Sequence, residues 1–143
     1  MKLAVIGGGS TYTPELFSGL LERRERLGLD SVVMHDVGNE RLEPVTAFCG
    51  RMTEHAGSCL RVSSTLDLDE ALDGASFVVV QIRIGGQQGR HEDIQLGLRH
   101  GLIGQETTGV GGFAKALRTV PVAADPARKI EARCPDAWMI NFT

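Results

Sequence analysis

Residues 2–15 read K-L-A-V-I-G-G-G-S-T-Y-T-P-E, and their order decides the fold of the chain. The apolar run at residues 3–6 ends in valine and isoleucine, which is typical of a central strand in a parallel sheet, buried on both faces. Three glycines then end the strand. Thr13-Pro14-Glu15 is typical of a helix start, with a capping residue, a first-turn proline and a first-turn acid. The stretch therefore predicts a strand, a glycine turn and a helix in succession.

The alternation of strand and helix continues along the chain. Apolar runs predict further strands at residues 32–34, 60–63, 77–84 and 137–142, of which 60–63 is the weakest. Apolar residues at helical spacing predict two helices, one with Leu16, Leu20, Leu21 and Leu27 and one with Leu42, Val45, Cys49 and Met52. A short third helix is predicted by Asp67-x-x-Glu70, which resembles a capping box, and by Gly74, which is placed to end it. These elements predict an α/β fold with a doubly wound parallel sheet, the Rossmann-like dinucleotide-binding type, over residues 1–143.

Two later segments depart from the regular alternation. Residues 85–112 contain nine glycines and no sustained periodicity, which predicts a long loop, and loops of that length are usually functional. Residues 113–133 have a helical pattern that is interrupted by Pro121 and Pro126, so we expect a break or kink near each proline.

Composition restricts the class of protein. The chain is 42% hydrophobic and 23% charged with a formal net charge of -3, which is ordinary for one globular domain. It has no basic block, so neither nucleic acid nor an anionic membrane surface is an expected partner. The first apolar stretch is too short for a signal peptide or a membrane span, which favours a cytoplasmic protein. Three distant cysteines predict reduced, buried thiols instead of disulfides or a zinc site.

The glycine turn has the chemistry of a pyrophosphate site. Small residues let the backbone approach an anionic group closely, and the next helix presents free amides to it. The candidate cofactor-binding residues in this turn are Gly7, Gly8, Gly9, Ser10 and Thr11. Tyr12 stands where the usual fingerprint has its third glycine, so we expect helix and strand to pack less tightly there. A plain glycine turn without a ligand is the alternative.

Asp36 follows the second predicted strand and is the candidate for binding the adenosine ribose. A carboxylate at this position accepts hydrogen bonds from ribose hydroxyls and repels a 2′-phosphate, so it favours NAD over NADP. A solvated turn aspartate is the alternative.

Five motifs distributed over the whole chain carry a more specific signal. They are G-G-G-S-T-Y-T-P-E-L (7–16), Q-I-R-I-G-G (81–86), G-Q-E-T-T-G-V-G-G (104–112), A-L-R-T-V-P (116–121) and C-P-D-A-W-M-I-N-F-T (134–143). Together they resemble the family 4 glycoside hydrolases, and most closely the 6-phospho-β-glucosidases. The linked set is far more specific than a glycine fingerprint alone.

The resemblance implies a glycosidase that depends on NAD and a divalent metal, commonly manganese, and that acts on a 6-phospho-sugar. In that family the sugar is oxidised at C3, its C2 proton is removed by a tyrosine, the aglycone is eliminated, water adds, and C3 is reduced again. This order is chemically consistent, because a ketone at C3 acidifies the neighbouring proton and a metal stabilises the enolate that forms.

The resemblance also implies roles for single residues. Glu106 matches the carboxylate that makes the downstream catalytic tyrosine a stronger base. Arg90 and Asn141 match substrate contacts, and Ile82 and Arg83 are candidates for the cofactor site. From the residues alone, Glu106 as the cap of a turn and both arginines as surface charges are the alternatives.

No metal ligands are expected within the chain. His91 and His100 stand in the glycine-rich segment, but their spacing fits no compact ligand pattern. The family's metal ligands, catalytic tyrosine and proton donor correspond to sequence after Thr143. We therefore expect the chain to be the NAD-binding half of a longer enzyme, without the second, metal-binding catalytic domain and inactive by itself. At full length we expect a homo-oligomer.

Two other classes of protein share part of the pattern. A 2-hydroxy-acid dehydrogenase of the lactate or malate type has the same glycine turn and the acid after the second strand, but no chemical need for the motif around Glu106. A non-catalytic NAD-sensing module is the other alternative, since the fold alone does not exclude it.

Overall fold

The computed structural model describes all of residues 1–143, and its centre is a five-stranded parallel sheet of order β3-β2-β1-β4-β5. In chain order the elements are β1 (Lys2–Ile6), α1 (Thr13–Leu27), β2 (Ser31–His35), α2 (Asn39–His55), β3 (Arg61–Thr65), α3 (Leu68–Leu72), β4 (Phe77–Val80), α4 (Gly86–Arg99), α5 (Gly109–Arg133) and β5 (Trp138–Asn141). The chain forms two compact units. Residues 1–82 and 128–142 form the sheet unit, and residues 83–127 with Thr143 form the second unit.

The central strand of the sheet unit is β1, as its apolar sequence predicts. Ala4 pairs with Val33 of β2 on one side and with Val78 of β4 on the other. Alternate residues of β1 enter different cores: Leu3 and Val5 belong to one buried cluster, and Ala4 and Ile6 to the other. A strand buried on both faces needs apolar residues at every position, and this is the reason for its unbroken run.

The predicted helix signals are confirmed in part. The Asp67 carboxylate accepts hydrogen bonds from the amides of Asp69 (2.9 Å) and Glu70 (3.5 Å), so it caps α3. The return half of the capping box is absent, because the Asp67 amide donates to the Thr65 hydroxyl instead and the Glu70 carboxylate accepts from that hydroxyl. In α1, Pro14 lies in the first turn as predicted, but Tyr12 takes the cap position without a side-chain hydrogen bond.

The strand predicted over residues 77–84 is too long. Strand β4 ends at Val80. The Gln81 amide still donates to the Ile6 carbonyl (2.9 Å), and the Gln81 side chain bonds to the glycine turn and to Thr13. A turn follows, closed by the Gly86 amide on the Arg83 carbonyl (3.1 Å), with Gly85 at a φ of 83°. Apolar residues recur after the end of the strand, so hydrophobicity alone predicts a strand that is longer than β4.

The long loop predicted over residues 85–112 is wrong, because residues 86–99 form α4. The buried residues of this helix are Gly89, Asp93 and Gly97, which recur every four positions. Their spacing is helical, but none of the three is a large apolar residue, so a search for hydrophobic periodicity does not detect the helix. Only the connection from His100 to Thr108 lacks regular structure.

Helix α5 has no break at its prolines, because it runs without interruption from Gly109 to Arg133. The predicted break is therefore wrong, while the kink stays a prediction. A proline inside a helix removes one backbone hydrogen bond, the one to the carbonyl four residues earlier. For Pro121 and Pro126 these carbonyls belong to Leu117 and Val122, whose side chains are exposed. The helix continues through both prolines at the cost of these two hydrogen bonds.

Cysteine burial agrees with the sequence prediction at two of three positions. Cys49 and Cys134 are buried, and burial raises the pKa of the Cys49 thiol to about 11, which keeps it neutral. Cys59 is exposed, contrary to the prediction, because it lies in the connection before β3 and outside the helical face that buries Cys49. No helix is long and apolar enough to cross a membrane.

Leu42 is expected to be critical for the sheet unit, since its side chain is fully buried in the core under the glycine turn. We predict that Leu42→Ala lowers the free energy of unfolding by about 2–5 kcal/mol, through lost apolar burial and a cavity. Leu66→Ala is the control, because Leu66 is about half exposed; its effect should stay within about 0.5 kcal/mol. Urea denaturation measures both, and equal effects would contradict the assigned core.

Candidate functional site

The glycine turn after β1 is tied to three other elements of the sheet unit. The amides of Gly7 and Gly8 both donate to the His35 carbonyl, at 2.9 and 2.8 Å. The Thr13 hydroxyl at the start of α1 donates to the Gly8 carbonyl (2.8 Å). The Gln81 amide group after β4 donates to the Gly7 carbonyl (3.2 Å) and to the Thr13 hydroxyl (2.7 Å). The turn is therefore held in one conformation before any ligand binds.

Close backbone approach explains the three successive glycines. A Cβ at Gly7 would lie 2.6 Å from the Gln81 carbonyl oxygen, and one at Gly8 would lie 2.7 Å from the Cβ of Met34. A Cβ at Gly9 would lie 2.9 Å from an Asp36 carboxylate oxygen. Any side chain in the turn would thus displace backbone or core atoms, which leaves bare backbone beside the start of α1.

Asp36 belongs to the same site, as the sequence predicts. Its Oδ2 accepts a hydrogen bond from the Gly9 amide (2.9 Å) and its Oδ1 accepts one from the Val37 amide (2.8 Å). These two bonds fix the carboxylate at the end of β2 and leave lone pairs on both oxygens for further donors. His35 beside it is buried, and burial lowers the pKa of its imidazole, which favours the neutral ring.

The residues of the turn fit the adenosine and pyrophosphate parts of a dinucleotide. The side-chain-free backbone at residues 7–9 lies next to a helix N-terminus, and the Asp36 carboxylate stands at the end of the adjacent strand. An anionic group suits the first feature, and ribose hydroxyls suit the second. Ser10 and Thr11 continue the turn, and the Tyr12 side chain points out of it, 64% exposed.

Glu106 is held between two arginines in the second unit. Its Oε2 accepts a hydrogen bond from Arg83 Nη1 (2.8 Å) and forms an ion pair with Arg90 Nε (3.1 Å). The Glu106 side chain is 16% exposed, while both arginine side chains are more than 40% exposed. The structure thus brings together three of the predicted site residues and gives a compact cluster of one negative and two positive charges.

The glycines around Glu106 allow its loop to lie against helices α4 and α5. A Cβ at Gly111 would lie 2.1 Å from the Gln105 carbonyl oxygen and 2.9 Å from that of Asp93. A Cβ at Gly97 would lie 2.9 Å from the Ile103 carbonyl oxygen. The loop that carries the carboxylate is thus packed through backbone contacts.

The remaining predicted residues lie outside these two groups of contacts. Ile82 follows β4 and is half-buried, and Asn141 lies on β5, paired in register with Val80. His91 and His100 are both exposed. No group of three or more histidine, cysteine, aspartate or glutamate side chains could hold a metal ion, so the residues present do not fit a metal site.

Two pairs of residues that shape these sites were not singled out from the sequence as site residues. Thr13 and Gln81 brace the glycine turn, and Asp93 and Arg118 form a bidentate ion pair in the second unit. A signal existed for Thr13, which was interpreted as a helix cap. The bond from Gln81 to Thr13 and the two bonds from Arg118 to Asp93 join residues more than twenty positions apart, and nothing in local sequence indicates them.

The parallel sheet, the glycine turn and the acid after β2 place this chain in the dinucleotide-binding class of α/β domains. The match to a family is more specific: the sequence model described as "Family 4 glycosyl hydrolase" covers residues 2–143. The chain belongs to family 4 of the glycosyl hydrolases, as the motif resemblance predicts.

Known proteins of the family are similar to the chain over its full length. It is 43% identical to a 6-phospho-β-glucosidase of Escherichia coli (strain K12), over 100% of the chain and 32% of the relative. A 6-phospho-β-glucosidase of Thermotoga maritima, solved with manganese, NAD+ and glucose-6-phosphate, is 40% identical with a TM-score of 0.92, over 100% of the chain and 35% of that protein. The chain thus spans about a third of the length of these relatives.

A lactate dehydrogenase of Eimeria maxima, solved with NADH and oxamate, shares the fold alone. Its TM-score is 0.68, but it is only 14% identical, over 99% of the chain and 35% of that protein. The fold is therefore common to both proteins, while the family match separates them.

The contacts of Gly8 give a direct test of the turn geometry. We predict that Gly8→Ala destabilises the protein by about 1–3 kcal/mol, because its Cβ would collide with Met34 in a packed core. The control is Gly50→Ala in α2, where a Cβ meets no atom within 4 Å; it should be neutral or stabilising by up to about 1 kcal/mol. Equal losses in urea denaturation would show that the turn is not tightly packed.

Proposed function

We propose that this chain is the NAD-binding domain, residues 1–143, of a 6-phospho-β-glucosidase whose substrate is a 6-phospho-sugar. Family membership and the similarity to 6-phospho-β-glucosidases support this proposal. The observation that carries it is the Glu106 carboxylate held by Arg83 and Arg90, in the motif for which a dehydrogenase has no use.

In the proposed function, residues 7–11 bind the pyrophosphate of NAD, and Asp36 binds the adenosine ribose. The geometry of the turn supports this, since any side chain at Gly9 would fill the space beside the carboxylate. Ile82 and Arg83 contribute to the same cofactor site. When bound, NAD would oxidise C3 of the sugar at the start of the reaction and reduce it again at the end. The loss of the C2 proton, the departure of the aglycone and the addition of water fall between these two steps.

Glu106 is proposed to provide negative charge near the base that removes the C2 proton. Arg83 holds the carboxylate by a charge-assisted hydrogen bond, and Arg90 holds it by an ion pair. A negative charge close to the base favours its protonated form, which makes it a stronger acceptor of the C2 proton. Arg90 and Asn141 are the proposed substrate contacts.

Other parts of the site are proposed to lie in the rest of the protein at its natural length. The residues described here do not fit a metal ion, so a divalent metal, and the tyrosine base, would be bound or supplied by sequence outside this chain. The isolated chain is therefore expected to lack glycosidase activity. A cytoplasmic location and a homo-oligomeric state are part of the same hypothesis.

The cofactor site is tested by Asp36→Asn in the protein at its natural length. We predict that NAD affinity falls by about 10- to 150-fold, since one charge-assisted hydrogen bond to ribose is worth roughly 1.5–3 kcal/mol. Discrimination against NADP should decrease because the repulsive charge is gone. Calorimetric titration with both nucleotides measures this. Glu43→Gln, an exposed substitution in α2, is the charge-matched control. Equal NAD affinity in all three proteins would contradict the assignment.

The reaction is tested by incubating the same protein with 6-phospho-β- and 6-phospho-α-glucosides, NAD and manganese in deuterated water. We predict release of glucose-6-phosphate with deuterium at C2 and no accumulation of NADH. Glu106→Gln should lower kcat by about 100-fold or more with little change in NAD affinity, because it removes charge that acts on proton transfer. Glu92→Gln, an exposed substitution on α4, should leave kcat unchanged.

The other classes of protein predict different outcomes of this experiment. Accumulation of NADH with a 2-hydroxy acid would indicate a dehydrogenase. NAD binding without any turnover of phosphoglucosides would indicate a sensing module. Either result would overturn the proposed function.

A further inference from the structure

Asp93 and Arg118 form an ion pair in the second unit that has no direct part in the cluster around Glu106. Arg118 Nη1 donates to Asp93 Oδ1 (3.0 Å) and Nη2 donates to Oδ2 (2.6 Å), so the two groups meet as a bidentate fork. The Asp93 side chain is only 4% exposed. A buried carboxylate is costly unless it is paired and hydrogen-bonded, so each partner depends on the other for its position.

The same guanidinium holds a second element. Arg118 Nε donates to the Ile84 carbonyl (2.9 Å), in the turn that precedes α4. Arg118 lies on α5, Asp93 lies in the middle of α4, and Ile84 lies before its first residue. One side chain therefore connects a helix, and the turn that leads into it, to the neighbouring helix.

Two glycines make room for this contact. A Cβ at Gly85 would lie 3.0 Å from Arg118 Nε, and a Cβ at Gly89 would lie 3.3 Å from the guanidinium carbon. The planar group thus lies against the bare backbone of the first turn of α4. This contact depends on the shape of the group as well as its charge, so lysine cannot reproduce it.

The two arginines of the Glu106 cluster stand on the elements that Arg118 holds. Arg83 immediately precedes Ile84 in the turn, and Arg90 is three residues before Asp93 on α4, one helical turn away on the same face. Both contact one oxygen of Glu106. We infer that Arg118, through Asp93 and the Ile84 carbonyl, is a positioning residue that sets the places of Arg83 and Arg90 around Glu106. The effect of this positioning on turnover rests on the proposed function.

Arg118→Lys in the protein at its natural length tests this inference, because it keeps the charge and removes the fork and the contact to Ile84. We expect kcat/KM for a 6-phospho-β-glucoside to fall by on the order of 100-fold, as misplacement of a binding group by about 1 Å can cause. Affinity for glucose-6-phosphate, measured by calorimetry, should fall. NAD affinity should fall less, because Arg83 is the only proposed cofactor-binding residue on an element that Arg118 holds, and the glycine turn belongs to the sheet unit. Arg128→Lys, exposed on the same helix, is the control and should behave as the unchanged protein.

A crystal structure of Arg118→Lys supplies a measurement that does not depend on turnover. We expect the Arg90 side chain to have moved away from Glu106, so that the ion pair between them is broken. If both arginines keep their contacts and glucose-6-phosphate affinity is unchanged, Arg118 is merely structural and the inference is overturned, even if the thermal unfolding temperature falls. Should Arg118→Lys fail to fold, Asp93→Asn removes the charge from the fork with little change of shape and is judged by the same criteria.

Failure of the proposed function is distinguishable from failure of this inference. If the unchanged protein neither binds glucose-6-phosphate nor turns over phosphoglucosides, the proposed function fails, and the crystal structure still decides whether Arg118 positions the two arginines. If the unchanged protein is active and Arg118→Lys is equally active, only the inference fails.

Discussion

The sheet unit depends on one shared acceptor, the His35 carbonyl at the end of β2, which receives the amides of both Gly7 and Gly8. These bonds draw the end of β1 against β2 and turn the chain into α1. They also determine the place of Asp36, which follows His35 directly and accepts the amide of Gly9. The constraint is steric as well as polar, because side chains at the three glycines would collide with Gln81, Met34 and Asp36. A surface suited to a dinucleotide is thus a consequence of how two strands and a helix are joined.

The second unit is organised by charge instead of by a large apolar core. The buried positions of α4 are two glycines and Asp93, and the carboxylate is paired with Arg118 on α5. An ion pair of this kind contributes less net stability than apolar packing of similar volume would, since both groups lose water. It does define a single register between the two helices, because a bidentate fork is satisfied in one geometry only. For a segment that presents Arg83, Arg90 and Glu106, a defined register matters more than additional stability.

The fold of this chain does not by itself define its function. The fold is shared in outline with a lactate dehydrogenase that is only 14% identical. Family 4 membership rests on motifs in both units, including the one that carries Glu106. The shared fold therefore does not define the function of this chain, and the charged cluster around Glu106 is what distinguishes it.

The sequence by itself determined the sheet unit, including the order of its elements, the central strand, the glycine turn, the Asp36 carboxylate and the motifs of the family. Each of these depends on residues that are neighbours in sequence or that repeat at the period of a strand or helix. Only the tertiary structure decided that residues 86–99 are helical, because the face that α4 buries consists of Gly89, Asp93 and Gly97 and has no apolar period. It also decided that α5 continues through two prolines, because a proline disfavours a helix interior without excluding it. The contacts of Glu106 with Arg83 and of Arg118 with Asp93 join residues 23 and 25 positions apart, and such pairs are set by the packing of helices and loops, which local sequence does not encode.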